Sequence, residues 1–392
     1  MTAGTCPACG AAAPEPFHVG EPVPVNSCLL LGDRDAAVDF PKGALALALC
    51  PACGLIWNCR YDPELMTYSQ DYEETQGFSP TFQAFIHHLA ADWVERYSLG
   101  GGTVVEIGCG KGEFLVELAR AGIGSGIGID PGVQPARIPA GLPLTWIQGL
   151  FPQDLPDLRA DAIVCRHTLE HIAPVREFLA AIRSAITEPE RTVLLFEVPD
   201  VRRVLDEVAF WDVYYEHSSY FSAGSVGRLF RAAGFDVLAI ERAYSDQTLL
   251  VEARPAVGGV ATAAIPIEED PAELAEAAAR FARGHQAMVD HWRDRIRTVH
   301  AGGGRTVIWG GGSKGVAFLA ALGADSRLVD GVVDINPFKQ NQYMAGTGHR
   351  VLAPKDLTDA EPALVIVMNG AYRTEIGAEL TDLGLTPTVE AL

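Results

Sequence analysis

Two groups of residues in this chain have the types and spacing that chemistry needs. The first is four cysteines in matched pairs, Cys6-x-x-Cys9 followed by Gly10 and Cys50-x-x-Cys53 followed by Gly54. Two short turns that each offer two thiolates suit one soft cation held tetrahedrally. Four sulfurs close that shell, so the expected metal is a structural zinc on Cys6, Cys9, Cys50 and Cys53. The second group is a pair of runs rich in histidine and aromatic residues. One reads Asp161-Ala-Ile-Val-Cys-Arg166-His167-Thr-Leu-Glu170-His171. The other reads Trp211-Asp212-Val-Tyr214-Tyr215-Glu216-His217-Ser-Ser-Tyr220. An imidazole near neutral pKa can strip a proton beside a carbonyl. Tyrosine hydroxyls can hold the resulting enolate oxygen, and a glutamate can orient the imidazole or hold a substrate hydroxyl.

Two glycine turns point to small-molecule binding. Val104-Val-Glu106-Ile-Gly108-Cys-Gly110-Lys-Gly112 is a β-branched strand running into G-x-G-x-G. The dinucleotide fingerprint is G-x-G-x-x-G, so the tighter spacing disfavours a nicotinamide oxidoreductase. Asp130 ends the next strand, where an acid can accept from both ribose hydroxyls. Gln148 lies further on and is assigned to the adenine. The second turn, Trp309-Gly-Gly-Gly-Ser313-Lys314, opens a second cycle of strand and helix. The order H-x-x-E-H in His167–His171 matches an inverted zinc-peptidase motif. Its histidines begin at a strand end rather than inside a helix, which argues against that chemistry.

The elements that must position these residues follow from periodicity. Ala44–Leu49 is expected as a strand leading into the second cysteine turn. A helix is expected over Thr81–Tyr97, with Phe82, Phe85, Ile86, Leu89 and Trp93 on one face. Thr103–Ile107, Gly126–Ile129, Ala162–Cys165 and Thr192–Val198 read as strands. Gly112–Ala121 and Pro174–Ile186 read as helices between them, a rhythm that predicts a parallel doubly wound sheet. A charged, Ala-rich helix over Pro271–Val299 is expected to join this lobe to the second cycle. That cycle holds strands at Thr306–Trp309, Val329–Asp334 and Leu364–Met368. The expected division is 1–64, 65–255 and 256–392. A net charge of −20 on 392 residues repels long polyanions. No apolar run is long enough to span a bilayer and no leader is legible, so a cytoplasmic protein without nucleic-acid or membrane partners is expected.

Taken in order, the cysteine turns, Glu106-Ile-Gly-Cys-Gly, His171-Ile172 and Tyr214-Tyr-Glu216-His217-x-x-Tyr220-Phe221 resemble the zinc-containing deoxysugar C-methyltransferases. So do Trp309-Gly-Gly-Gly-Ser313-Lys314, Asp334-Ile-Asn336-Pro337 and Met368-Asn369. The resemblance spans essentially the whole chain. It implies an α/β fold: a class I S-adenosylmethionine methyltransferase (Rossmann-like) core with an N-terminal zinc-binding module and a C-terminal Rossmann-like domain. It implies S-adenosylmethionine as cofactor and C3 of a nucleotide-linked 4-ketodeoxysugar as acceptor, with no protein partner required. His217 becomes the general base. Tyr214 and Glu216 contact the ketosugar, and His171 polarises the carbonyl. Tyr68 and Tyr72 fold over a cofactor that Glu106, Gly108, Gly110, Gly112, Asp130, Gln148 and His167 also surround. Tyr220, Ser313, Lys314 and Asn336 are implied on the substrate side. Cys109 and Lys111 depart from the usual loop, and Asp200 and Arg202 are charges without an assigned place. A different acceptor (carbon, nitrogen or oxygen of a non-sugar) and a non-catalytic binding module remain open on sequence grounds.

Overall fold

The computed structural model describes residues 4–66, 69–257 and 262–392. Among the described residues the central sheet places Thr103–Ile107 between Ser125–Ile129 and Ala162–Arg166. Leu144–Ile147 lies beyond the first neighbour, and Val193–Pro199, Thr248–Pro255 and Phe235–Ala243 beyond the second. The strands are parallel except Thr248–Pro255, which runs against both its neighbours. Helices cover both faces, so the inner strands read as apolar runs rather than alternating ones. Val193–Val198 is buried throughout, and Glu197 interrupts it at 1% exposure. Its register partner on the next strand is Arg166, which supplies the opposite charge. The class I methyltransferase fold is this order of strands with the reversed one next to the edge.

The helix Pro80–Arg96 forms where the apolar spacing predicts. Ser79 caps it, and Phe82, Ile86, Leu89 and Trp93 are buried against the sheet. The strand Thr103–Ile107 has the expected bounds, and the helix after the glycine turn spans Glu113–Arg120. The helix Pro271–Ala301 begins at a capping box of Asp270 and Glu273. It buries a row from Leu274 to Ile296 in a core shared with Val201–Asp206 and Ser313–Leu322. The second sheet is wholly parallel, in the order Val351–Leu352, Gly331–Val333, Thr306–Trp309, Leu364–Val367, Thr388–Ala391.

The N-terminal sheet joins the cysteine turns to the chemistry. His18–Val19, Ala46–Leu49 and Ile56–Asn58 pair antiparallel, and the next strand is Ser219–Tyr220 from the second aromatic run. The segment carrying His217 is therefore an extension of the cysteine module's sheet. No helix among the described residues is long and apolar enough to cross a membrane.

Asp200 and Arg202 also find places. Asp200 caps the helix Val201–Asp206 by accepting from Arg202 N at 2.8 Å, and it accepts from Arg242 Nε at 2.9 Å. Arg202 pairs with Asp206 one turn on. Arg242→Ala strands the buried Asp200 carboxylate. It is expected to cost about 2 kcal/mol, less than a fully enclosed pair because Arg242 keeps contact with water. Asp200→Asn, which preserves the cap, should cost about 1 kcal/mol. Urea unfolding of the two variants checks the ranking.

Candidate active site

Both large sheets reverse their strand order at the strand before a glycine turn, Thr103–Ile107 in one and Thr306–Trp309 in the other. In open α/β sheets the crevice beyond the carboxyl end of such a strand is where ligands sit. Here the two crevices face one cavity of about 530 Å³, lined by both glycine turns and both histidine runs.

A strap closes that cavity. Residues 69–76 pair with the N-terminal module through Leu30 N to Asp71 O and Glu73 N to Cys28 O, at 3.1 and 2.7 Å. Four consecutive side chains then reach four different elements. Tyr72 Oη donates to Glu216 Oε2. Glu73 accepts from Arg137 at 2.7 Å and from Asn336 Nδ2 at 2.9 Å, which ties the first sheet's loops to the C-terminal domain. Glu74 stands over the first glycine turn. A Cβ on Gly110 would lie 2.6 Å from its Oε1, and Gly110 also has φ +51°, so only glycine fits. Thr75 Oγ1 donates to Glu113 Oε1 at 2.6 Å. Tyr68 lies outside the described residues.

Carboxyl groups crowd the first glycine turn. Asp130 accepts from Gly110 N and Gly132 N, at 3.0 and 2.6 Å, and burial raises its pKa. Burial pushes Glu106 up to about 8 and Glu74 up to about 7, and Oε2 of each is buried with no hydrogen-bond partner. Such atoms are costly unless a ligand completes them. Lys111 is turned onto the carbonyls of Gln70 and Gly132. Gly108 and Gly110 line the cavity, and Gly112 starts the following helix with φ +80°. Gln148 is exposed, donates to Pro131 O at 3.3 Å and does not line the cavity.

The histidines gather at the other wall. His167 has φ +48°, and its ring lies 3.6 Å from Glu170 and 3.5 Å from Glu197. Burial works against its charge, but Glu197 and Glu170 outweigh burial and push it up to about 9. Burial alone would raise Glu197. Arg166 and His167 hold it well below the usual carboxylate range. His171 Nδ1 is 3.1 Å from the carbonyl of Glu216. A carbonyl only accepts, so Nδ1 carries the proton. The ring of His217 packs edge-on to His171 at 4.9 Å and lies 4.2 Å from the ring of Tyr214. Burial, then His171 and His167, push its pKa well below the ordinary imidazole value. His217 is therefore neutral and free to take a proton. The Glu216 carboxylate points away from it and accepts from Ser27 N, Ser27 Oγ and Tyr72 Oη. Tyr220 Oη donates to Tyr214 O at 2.8 Å.

The second glycine turn opens the helix Ser313–Leu322. Gly311 N donates to Asp334 at 2.8 Å, and Ser313 Oγ lies 2.7 Å from Ser27 Oγ. Lys314 Nζ donates to Asp212 at 3.0 Å and to Gln247 at 3.1 Å. Asn336 is held by Glu73 and lines the cavity. Sequence reasoning missed Ser27, Glu73, Glu74, Glu170, Glu197, Asp212 and Gln247 as cavity-building residues. The legible signal was Glu197, a lone acid inside an apolar strand.

The cysteine turns stand apart from the cavity. The sulfurs of Cys6, Cys9, Cys50 and Cys53 lie within 4.8 Å of one another, with closest pairs at 3.5 and 3.6 Å. The two turns repeat the same backbone bonds, Gly10 N to Cys6 O and Gly54 N to Cys50 O, both at 2.9 Å.

Residues 82–240 match the model of a methyltransferase domain, and residues 259–384 match that of a C-methyltransferase C-terminal domain. The chain is 27% identical over 369 residues to the C-methyltransferase NovU of Streptomyces niveus, covering 88% of this chain and 85% of that one. Among solved structures it resembles magnesium protoporphyrin IX methyltransferase from Synechocystis PCC 6803 with bound SAH. The TM-score is 0.36 at 16% identity, over 45% of this chain and 84% of that one. It also resembles a riboflavin-type dimethyltransferase, RosA from Streptomyces davawensis. That TM-score is 0.35 at 26% identity, over 43% of this chain and 54% of the other.

Glu73→Ala removes the tie between Arg137 and Asn336. Amide exchange across 69–76 is expected to speed up about tenfold, the loss of roughly 1–2 kcal/mol of charge-assisted bonding. Exchange in the two sheets should not change.

Proposed function

We propose that this methyltransferase transfers a methyl group from S-adenosylmethionine to a carbon beside a ketone, through an enolate, and that the acceptor is C3 of a nucleotide-linked 4-ketodeoxysugar. The observation that carries the reading is His217: a buried, neutral imidazole walled by His171, Tyr214 and Tyr220, in the same cavity as an acid-rich glycine turn.

The donor set fits the cofactor. The orphaned oxygens of Glu74 and Glu106 and the ring of carboxylates around Gly110 suit a cationic ligand. A cation beside them favours their ionised form, and a pyrophosphate would gain no such match there. Asp130 suits the ribose, and Gly108 and Gly110 allow close backbone approach. His167 belongs to the same wall. When bound, the cofactor supplies an electrophilic methyl on a sulfonium sulfur.

His217 takes the proton from the carbon beside the ketone, whose carbonyl makes that proton acidic. Burial pushes the Tyr214 hydroxyl's pKa well above its ordinary value, so it stays a donor to the enolate oxygen. His171, held by Nδ1 on Glu216 O, packs edge-on to the His217 ring on the same wall. Glu216 and Tyr72 close the wall on the acceptor's side, with Tyr220 behind Tyr214. Ser313 at a helix N-terminus, with Lys314 and Asn336 nearby, suits the diphosphate. Burial of His217 and Tyr214 keeps the base and the enolate donor out of bulk water, which would otherwise reprotonate the enolate.

The cysteine turns fit zinc. Sulfur–sulfur edges of 3.5 and 3.6 Å come close to the roughly 3.8 Å edge of a tetrahedron with Zn–S bonds of about 2.3 Å. Its role is to fix the sheet that carries Ser219–Tyr220. A division into 1–64, 65–255 and 256–392 belongs to the same reading.

His217→Asn is expected to lower turnover by about 10²–10⁴ while cofactor binding persists, the range for losing a general base. Exchange of the substrate proton for deuterium without cofactor should fall with it, and undiminished turnover would sink the enolate route. Because the base is neutral far below pH 6.5, no acidic loss through His217 is expected between pH 6 and 8. Metal analysis should find about one zinc per chain. Cys50→Ser should abolish the zinc and lower Tm, and a chain that purifies folded without metal would refute the assignment.

A further inference from the structure

A base that becomes cationic inside a water-excluding wall needs an anion. Two buried carboxylates of the histidine wall are hydrogen-bonded: Glu216 by Ser27 and Tyr72, and Glu197 Oε2 by Arg166. A third is Glu170. It is 1% exposed, and neither of its carboxylate oxygens has a hydrogen-bond partner. One of these oxygens, a ring nitrogen of His171 and a ring nitrogen of His217 lie within 4.8 Å of one another. The His167 ring stands 3.6 Å away on the other side. The two backbones are also joined: Ser218 Oγ donates to Glu170 O at 3.2 Å, directly beside His217.

Resting on the enolate reading, we propose that Glu170 is the positioning residue for the base: its carboxylate orients the His217 ring and stabilises the imidazolium formed when that ring takes the proton. The Glu170 ion pair with His167, at 3.6 Å, is too long for a hydrogen bond, so both oxygens keep the capacity to accept from a second imidazole. Hydrogen bonds of this kind often start long and tighten when the substrate closes the site. The other groups facing His217 do not supply the anion. Tyr214 and Tyr220 come from its own run, His171 from the turn Leu169–His171, and His167 from the end of the strand Ala162–Arg166. Glu170 faces Tyr214 and Cys165 as well as the histidines, and neither is a cation.

The test uses Glu170→Gln, which keeps shape and removes charge, with a TDP-linked 4-keto-6-deoxyhexose as probe. Turnover and cofactor-free deuterium exchange should both slow by about 10²-fold, with cofactor affinity within twofold of wild type. Losing the anion lowers the proton affinity of His217. The acidic limb of kcat/KM, where the free base is lost, should therefore move to lower pH. Glu170→Asp, which retains the charge, should keep the wild-type limb and recover exchange to within tenfold, and it stands in should the Gln variant fail to fold. A folded Gln variant with unchanged limb and exchange overturns the proposal. So does an Asp variant as impaired as the Gln one. If His217→Asn leaves exchange intact, the enolate reading itself falls and this inference falls with it. If His217→Asn abolishes exchange and Glu170→Gln does not slow it, only the role of Glu170 is lost.

Discussion

Carboxylates and imidazoles gathered behind walls that exclude water are unstable unless each is matched or soon will be. That cost organises this molecule. Glu197 is matched by Arg166 across the sheet and by His167 at the strand end, and Asp212 by Arg203 and Lys314. Glu73 is matched by Arg137 and Asn336. Pairing by charge still leaves single atoms without a hydrogen bond, Glu197 Oε1 and Arg203 Nε among them. Three acids of the cavity wall keep such oxygens too: Glu74 and Glu106 at the first glycine turn, and Glu170 beside His217. There a ligand or a travelling proton would complete them.

Matching these charges requires segments far apart in the chain to meet. The strap 69–76 does most of that joining, because its side chains alternate between partners. Tyr72 touches the histidine run, Glu73 both sheets' loops, Glu74 the glycine turn and Thr75 the helix behind it. The cysteine module contributes from the other direction. Its sheet continues into Ser219–Tyr220, so the fold around the cysteine turns sets where His217 stands. The distance of the four sulfurs from the cavity is consistent with a structural role, since a metal held by all four would have no position for substrate.

Much of this was legible in the sequence, for physical reasons that can be named. Local signals carried the elements. The β-branched run Thr103–Ile107, the apolar spacing of Pro80–Arg96 and the paired cysteine turns each depend on neighbours a few residues away. The hairpin Phe235–Pro255 was not read. Its turn puts Tyr244, Ser245 and Asp246 all at positive φ, without the glycine or asparagine that marks such turns. The site residues with chemistry of their own, His171, His217 and Asp130, could be found by type and position. Glu73, Glu74 and Glu170 could not. Their importance lies in partners some tens to hundreds of residues away, as with Glu73 and Asn336. Asp200 and Arg202 show the same limit from the other side: one is a cap and buried ion pair, the other a surface pair, and nothing local separates them.

The overall charge of −20 sets a last constraint on what can enter the cavity. An anionic ligand approaching such a surface gains nothing from long-range attraction. Any binding of a diphosphate must come from fixed local groups, and those present are few. The N-terminus of Ser313–Leu322 offers backbone N–H groups, and Lys314 and Lys339 lie beside it. Both lysines already face acids, Asp212 at 3.0 Å and Asp334 at 3.8 Å. A diphosphate would have to share these cations with resident carboxylates. At the first glycine turn Lys111 donates to the carbonyls of Gln70 and Gly132, while its charge still acts on Glu74 and Asp130. The two ends of the cavity differ in kind. One holds carboxyl oxygens without hydrogen-bond partners, and the other is a pre-paired basic edge that an anion enters only by rearranging its ion pairs.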